Sequence, residues 1–144
     1  KRFESYGCDY IEINVNKENE IFKIFVSQHK NSKGKKGKFM TKDIESYFEN
    51  LLKLDGWKIY YLETNKGVVS TAFCYESIKG CYLYNSSRDN QFNEMNPGIV
   101  LNDLIIQRLI ANDKTFFDFL KGTERYKFDL GGEPVQLYDL NVCL

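Results

Sequence analysis

Between residues 57 and 86 the chain carries three runs rich in β-branched and aromatic residues: Trp57 to Thr64, Val68 to Ile78 and Cys81 to Ser86. Only Asn65-Lys66-Gly67 and Lys79-Gly80 separate them. Side chains of this kind suit a pleated, half-buried surface. Connections of two or three residues are too short for a crossover, so consecutive strands must run antiparallel. A three-stranded meander is therefore the centre around which the rest of the chain has to pack.

The flanking segments supply further elements. Ile11, Ile13 and Val15 alternate with Glu12 and Asn14, the period of a half-buried strand. From Glu20 the period lengthens, and Phe22, Phe25, Val26 and His29 form one apolar face of a helix that stops near Asn31. The stretch from Lys30 to Lys38 holds five lysines, two glycines and no apolar residue, and it reads as a loop. Thr41 is placed to cap a second helix, with Asp43 in its first turn and Ile44, Tyr47, Phe48, Leu51 and Leu52 as its buried stripe. Asp55-Gly56 ends that helix.

Beyond the meander, Asn96-Pro97-Gly98 reads as a helix start, with Asn96 as cap and Pro97 at the first helical position. Leu101, Leu104, Ile105 and Leu109 give its apolar side. Thr115 to Leu120, interrupted only by Asp118, reads as a strand lying parallel to its meander neighbour after the crossover helix. Gly122 to Phe128 is a polar turn or short helix, and Val135 to Leu144 is expected to form a last strand. The order is β-α-α-β-β-β-α-β-α-β, an α/β domain (α+β, mixed sheet) with helices on the sheet faces, spanning residues 1–144 as one unit.

Charge and cysteine usage narrow the function classes. Twenty basic residues balance twenty acidic ones, so no overall field attracts duplex DNA. Cys8, Cys74, Cys81 and Cys143 stand alone and the chain has one His, which gives no zinc-ligand spacing. They read as reduced thiols of a cytoplasmic protein. No apolar run approaches the roughly 20 residues of a membrane span. The chain starts at Lys1, so a piece of a longer protein is expected.

The element order resembles the GNAT (N-acetyltransferase) superfamily. Within it, Phe117-Asp118-Phe119-Leu120-Lys121-Gly122-Thr123-Glu124-Arg125-Tyr126-Lys127 resembles the "DFLxGxExYK" signature of a GNAT-like branch. That branch comprises Fem-type peptidyltransferases and cellulose-biosynthesis-associated acetyltransferases. Asn96-Pro97-Gly98 with Leu101 is similar to its "SPGxxL" helix start, with Asn96 in place of Ser. His29, Gly34, Gly37 and Phe39 are similar to its "HxxRxxxGxxGxF" stretch, with Ser32 in place of Arg. The resemblance runs from about Glu20 to Leu140.

The resemblance implies a metal-free acyltransferase. It would move an acyl or aminoacyl group from an activated donor, acyl-CoA or aminoacyl-tRNA, to an amine or hydroxyl. The acceptor would be a small molecule or a cell-envelope precursor, in cell-envelope or polysaccharide biosynthesis. It also implies a second GNAT-like half of the same chain, with residues 1–144 as the C-terminal half. The alternative is a non-catalytic half-domain that binds substrate or scaffolds a partner domain. A third reading is RNA binding through the lysine-rich stretch, which would weaken steeply with salt.

Candidate site residues follow. The resemblance places Lys127 near the reacting groups, as a fixed cation at a developing oxyanion. Asp118, a carboxylate in an apolar strand, is either a catalytic group or the partner of Lys121 or Lys127 in an ion pair. Glu124 is a candidate base and Tyr126 a candidate proton donor to the leaving group. Asn96 and Gly98 open a helix whose free N–H groups suit the pyrophosphate of coenzyme A, or serve capping alone. Asn85 and Arg88 follow the third meander strand and are expected in the same cleft. His29 reads either as a core histidine or as a substrate-site residue, and Lys33 and Lys35 either as solvated charges or as phosphate contacts.

Overall fold

The computed structural model describes residues 3–143. Five strands form one sheet in sequential order: β1 (Ile11–Asn16), β2 (Trp57–Thr64), β3 (Gly67–Glu76), β4 (Gly80–Arg88) and β5 (Phe116–Asp118). The first four pair antiparallel, and β5 runs parallel to β4 as the crossover through α4 (Pro97–Ala111) requires. The remaining helices are α1 (Asn19–Lys30), α2 (Lys35–Phe39), α3 (Lys42–Leu52) and α5 (Arg125–Asp129). A 3-10 turn, Asn90–Met95, lies between β4 and α4.

The period of two along the strands divides the core between the two sheet faces. Tyr60, Leu62, Ala72, Cys74 and Leu83 meet Leu101, Ile105 and Leu109 of α4. On the opposite face Ile59 and Phe73 meet Phe22 and Phe25 of α1 and Phe48 and Leu52 of α3. The rings of Phe25, Phe48 and Phe73 lie 4.8–5.4 Å apart between centroids. Each such fully buried side chain contributes about 1.5–3 kcal/mol. Burial of this size, rather than intrinsic propensity, fixes α1 and α3 against the sheet.

Three expectations are corrected. The lysine-rich stretch is not wholly a loop: after Gly34, at φ 70°, residues 35–39 make one helical turn. Gly37 allows it, since a Cβ there would stand 2.0 Å from the Ser32 carbonyl oxygen, and Phe39 anchors it against His29 and Phe48. Asn96 occupies the N-cap position of α4 but sits in the left-handed region, at φ 50°, and its side chain makes no capping bond. Its carbonyl instead receives the N–H groups of Ile99 and Val100.

The third correction concerns the C-terminus. The expected strand over 135–144 is absent from its described part, since residues 133–143 form no strand, and Leu144 lies outside the described residues. A strand needs a neighbour to receive its backbone bonds. β5 ends after three residues, where Leu120 turns the chain at φ 56°.

Candidate active site

The site begins with a split in the sheet. β4 pairs with β3 as far as Arg88, but with β5 only at Gly80–Phe116, Cys81–Phe117 and Tyr82–Asp118. Past Tyr82 the outer edge of β4 has no strand partner among the described residues. The register against β3 also shifts there: Phe73 faces Asn85 and Cys74 faces Leu83, which leaves Tyr84 as an extra residue. A bulge of this kind bends the strand and re-aims its side chains. Tyr84 and the next residue, Asn85, consequently serve the same face, Tyr84 against Phe48 and Trp57 and Asn85 against His29.

His29 projects from α1 into this region and is only 1% exposed. Its Nε2 lies 2.7 Å from Oδ1 of Asn85. That oxygen also accepts the Ser86 N–H at 2.7 Å, so it is the acceptor and Nε2 carries the ring proton. Nδ1 is then left as a buried lone pair without a hydrogen-bond partner among the described residues. Burial lowers the imidazole pKa, and the Lys36 charge lowers it further, against the opposing pull of Asn85 and the Lys36 backbone. A cleft of about 300 Å³ borders the ring, lined by Lys35, Lys36, Phe39 and Asn85.

A larger cleft, about 710 Å³, opens between α1 and the segment after β4, with Lys23, Gln28, Asn31, Val68, Arg88 and Asn90 among its walls. A buried polar chain holds these walls together. Gln28 Nε2 donates to the Val68 carbonyl at 2.9 Å, Ser87 Oγ donates to Gln28 Oε1 at 3.0 Å, and the Ser87 and Thr71 hydroxyls share a hydrogen bond. Asn90 Nδ2 donates to the Asn31 carbonyl at 2.6 Å, and Arg88 Nε to Asn93 Oδ1 at 2.8 Å. Burial and the neighbouring Arg88 hold the Lys36 ammonium below its ordinary pKa. Lys33 and Lys35 are exposed. At the start of α4 a Cβ on Gly98 would meet nothing within 4 Å.

The residues after β5 form a cluster of their own. Asp118 Oδ1 accepts the Leu120 N–H at 2.7 Å, and among the described residues Asp118 makes no ion pair. Gly122 has φ 117°, and a Cβ there would stand 2.4 Å from the Glu124 carboxylate. Lys127, 6% exposed, donates from Nζ to the carbonyls of Lys121 (2.9 Å) and Gly122 (3.4 Å) and pairs with Glu124 at 2.8 Å. The bond from Lys127 holds the Glu124 carboxyl below its ordinary pKa. Burial, with Glu124, pushes the Tyr126 phenol up, and its ring stands edge-on to Phe119.

His29, Asn85, Arg88 and Lys35 thus gather around adjoining clefts beside the free part of β4. Among the described residues, no hydrogen bond or ion pair joins them to the 118–127 cluster. Gln28, Thr71, Tyr84 and Ser87 carry no motif in the sequence, and Lys36 stands out there only as one lysine of the 30–38 stretch. The one available signal was Gln28, a polar residue beside the apolar stripe of α1.

A mixed sheet that opens between two parallel strands, with a bulged central strand and a crossover helix starting at the opening, defines the GNAT class of acyltransferase. The chain belongs to the acetyltransferase (GNAT) domain family, whose model matches residues 1–128. No curated protein matches it in sequence. Among solved structures it is similar to a possible acetyltransferase from Clostridium difficile 630, at TM-score 0.71 and 13% identity over 94% of this chain and 100% of the other. It is also similar to the aminoglycoside N-acetyltransferase AAC(6')-Iy in complex with a CoA-linked acetylneamine bisubstrate analogue, at TM-score 0.66 and 10% identity over 94% and 100%. A third is the ribosomal-protein-alanine N-acetyltransferase of Brucella melitensis biovar Abortus 2308, at TM-score 0.62 and 8% identity over 94% and 99%. At these identities the likeness is one of fold. Among the described residues, no group of three or more His, Cys, Asp or Glu could hold a metal, and no helix is long and apolar enough to cross a membrane.

Proposed function

We propose that the chain transfers an acyl group from acyl-coenzyme A to an amine. The observation that carries this reading is the outer edge of β4 beyond Tyr82, unpaired among the described residues, bulged at Tyr84 and running to the end of the sheet where α4 starts. An unpaired strand edge offers backbone donors and acceptors to an extended ligand with amide groups. The N-terminus of a 15-residue helix, with Asn96 and Gly98 at its start and Arg88 upstream, suits the diphosphate. In the reaction the acceptor nitrogen attacks the thioester carbonyl, the C–N bond forms, the C–S bond breaks, and the nitrogen loses one proton. Positioning the two reactants and stabilising the carbonyl oxygen's developing charge supply the rate.

Lys127, Glu124, Asp118 and Tyr126 are assigned to shaping the loop that follows β5 where it leaves β4. Lys127 pairs with Glu124 and ties the Lys121 and Gly122 carbonyls, Asp118 holds the Leu120 N–H, and the Tyr126 ring packs on Phe119, contacts that stay within residues 118–127 and support a positioning role. The same loop gives the "DFLxGxExYK" residues a structural reason, and on it rests our placement of the chain in the Fem-type and cellulose-associated branch. With that placement come the proposals of a cell-envelope acceptor and of a second GNAT-like half elsewhere in the protein.

The test is a thermal melt of the protein with acetyl-CoA, followed by release of free thiol with a panel of amines. A raised melting temperature and amine-dependent thiol release are expected. A melt unmoved by millimolar acetyl-CoA would overturn the reading, and binding without turnover would favour a substrate-holding half-domain.

A further inference from the structure

His29 has a partner for one ring nitrogen and none for the other. A histidine retained only for packing usually has both nitrogens bonded or one of them in solvent, because a buried acceptor without a donor is costly. Among the described residues Nδ1 is buried with no hydrogen bond of acceptable geometry, the Lys36 backbone being the polar group beside the ring, and it belongs to a residue that borders the 300 Å³ cleft. The ring is held in one tautomer by Asn85, which in turn is aimed by the Tyr84 bulge and fixed by the Ser86 N–H. A nitrogen base, a neutral amide that orients it, and a cleft beside the free strand edge are the parts of a proton-accepting site.

We propose that His29 is the proton acceptor for the incoming nucleophile and that Asn85 positions it; this rests on the acyl-CoA reading above. The one-turn α2 covers the ring, Phe39 lying 5.8 Å from it between centroids, so the acceptor reaches Nδ1 only when that turn moves aside. Its nitrogen forms the bond to the carbonyl carbon and passes its proton to Nδ1. The C–S bond breaks, and the leaving thiolate takes up the proton that the imidazolium gives back, directly or by exchange with water, so His29 ends neutral. The charged side chains facing the ring are Lys36 and Lys35 of α2, while β4 presents the neutral Asn85 and α1 presents Phe25. These surroundings keep the imidazole neutral, and therefore basic in form, at neutral pH.

The experiment compares wild type, His29→Gln and Asn85→Asp for acetyl-CoA binding, amine-dependent turnover and the pH profile of kcat/KM. His29→Gln is expected to keep acetyl-CoA binding and to lose turnover by about 100-fold or more. Asn85→Asp places a carboxylate beside Nε2 and is expected to move the acid limb of the profile upward by at least about one pH unit. Normal turnover in His29→Gln, or an unmoved acid limb in Asn85→Asp, overturns the proposal. If His29→Gln does not fold, the Asn85→Asp profile decides alone. If wild type neither binds nor uses acetyl-CoA, the donor reading fails separately. Imidazole nitrogen NMR then decides the base: a protonated Nε2 with an unprotonated Nδ1 supports it, and the opposite tautomer removes it.

Discussion

Gly80 lies so close to Phe116 that a Cβ on it would stand 2.5 Å from the Phe116 carbonyl oxygen and 2.7 Å from its ring. This is the first rung of the only stretch where β4 and β5 pair. Immediately beforehand, the Thr115 N–H donates to the Lys79 carbonyl at 2.7 Å, so the two strands start together and separate three residues later. The split that receives the proposed donor is hinged on a glycine.

Gly80→Ala should therefore both destabilise the sheet and disturb the split. Overpacking of this kind costs about 1–3 kcal/mol. The expected outcome is a lower urea midpoint with weaker acetyl-CoA binding. An unchanged midpoint would mean that β5 is not held at this rung.

Gln28→Leu should destabilise through lost bonds rather than lost volume. The Ser87 hydroxyl, 2% exposed, would lose a partner in a buried place, and the Val68 carbonyl one in a half-buried place at the cleft wall. A cost of about 1–3 kcal/mol is expected in chemical denaturation. Thr71→Val in the Gln28→Leu background tests the chain as a network: the two losses should combine non-additively, because Thr71 and Gln28 share Ser87. Strict additivity would show that the links act independently.

The meander was legible because two turns of two and three residues leave a strand no other way to go. α4 was legible because Pro97 and the leucine spacing agree, although Asn96 contributes its carbonyl rather than its side chain. The C-terminal run 135–143 shows the limit of such patterns, since Val135, Leu137, Tyr138 and Leu140 are β-prone in type yet have no neighbouring strand to receive them. The site was harder for the same reason. His29 on an apolar helix face reads first as a core histidine and only second as a site residue, because its partner, Asn85, lies 56 residues away. The bulge that aims Asn85 has no signature within β4, where Tyr84 simply continues the alternation.

Glu76 should make stability depend on acid pH. Burial works to raise its pKa, but hydrogen bonds from Tyr60 and Lys58 and the charges of Lys58 and Lys114 outweigh it, so the folded pKa falls below the ordinary 4.5. A depressed folded pKa contributes stability that is present above the unfolded value and is lost as pH falls through the folded one. Wild type should accordingly melt higher than Glu76→Gln at pH 7, with the gap closing as the pH drops below 4.5. A gap independent of pH would assign the effect to shape rather than charge.

Lys127→Met separates the positioning role from a catalytic one. The substitution keeps the aliphatic stem in its buried slot and removes the ammonium, so the carbonyls of Lys121 and Gly122 lose their donor. Glu124 is 58% exposed and can turn to water, so most of the penalty falls on the two carbonyls and on the loop they close. A loss of about 1–3 kcal/mol in urea denaturation is expected. Turnover should fall only as far as the loop after β5 loses its shape, and Lys127→Arg should restore part of both by keeping a cation at the same carbonyls. If instead the midpoint stays at the wild-type value while turnover collapses, Lys127 faces the reacting groups and stabilises charge there, and the loop-shaping assignment is wrong.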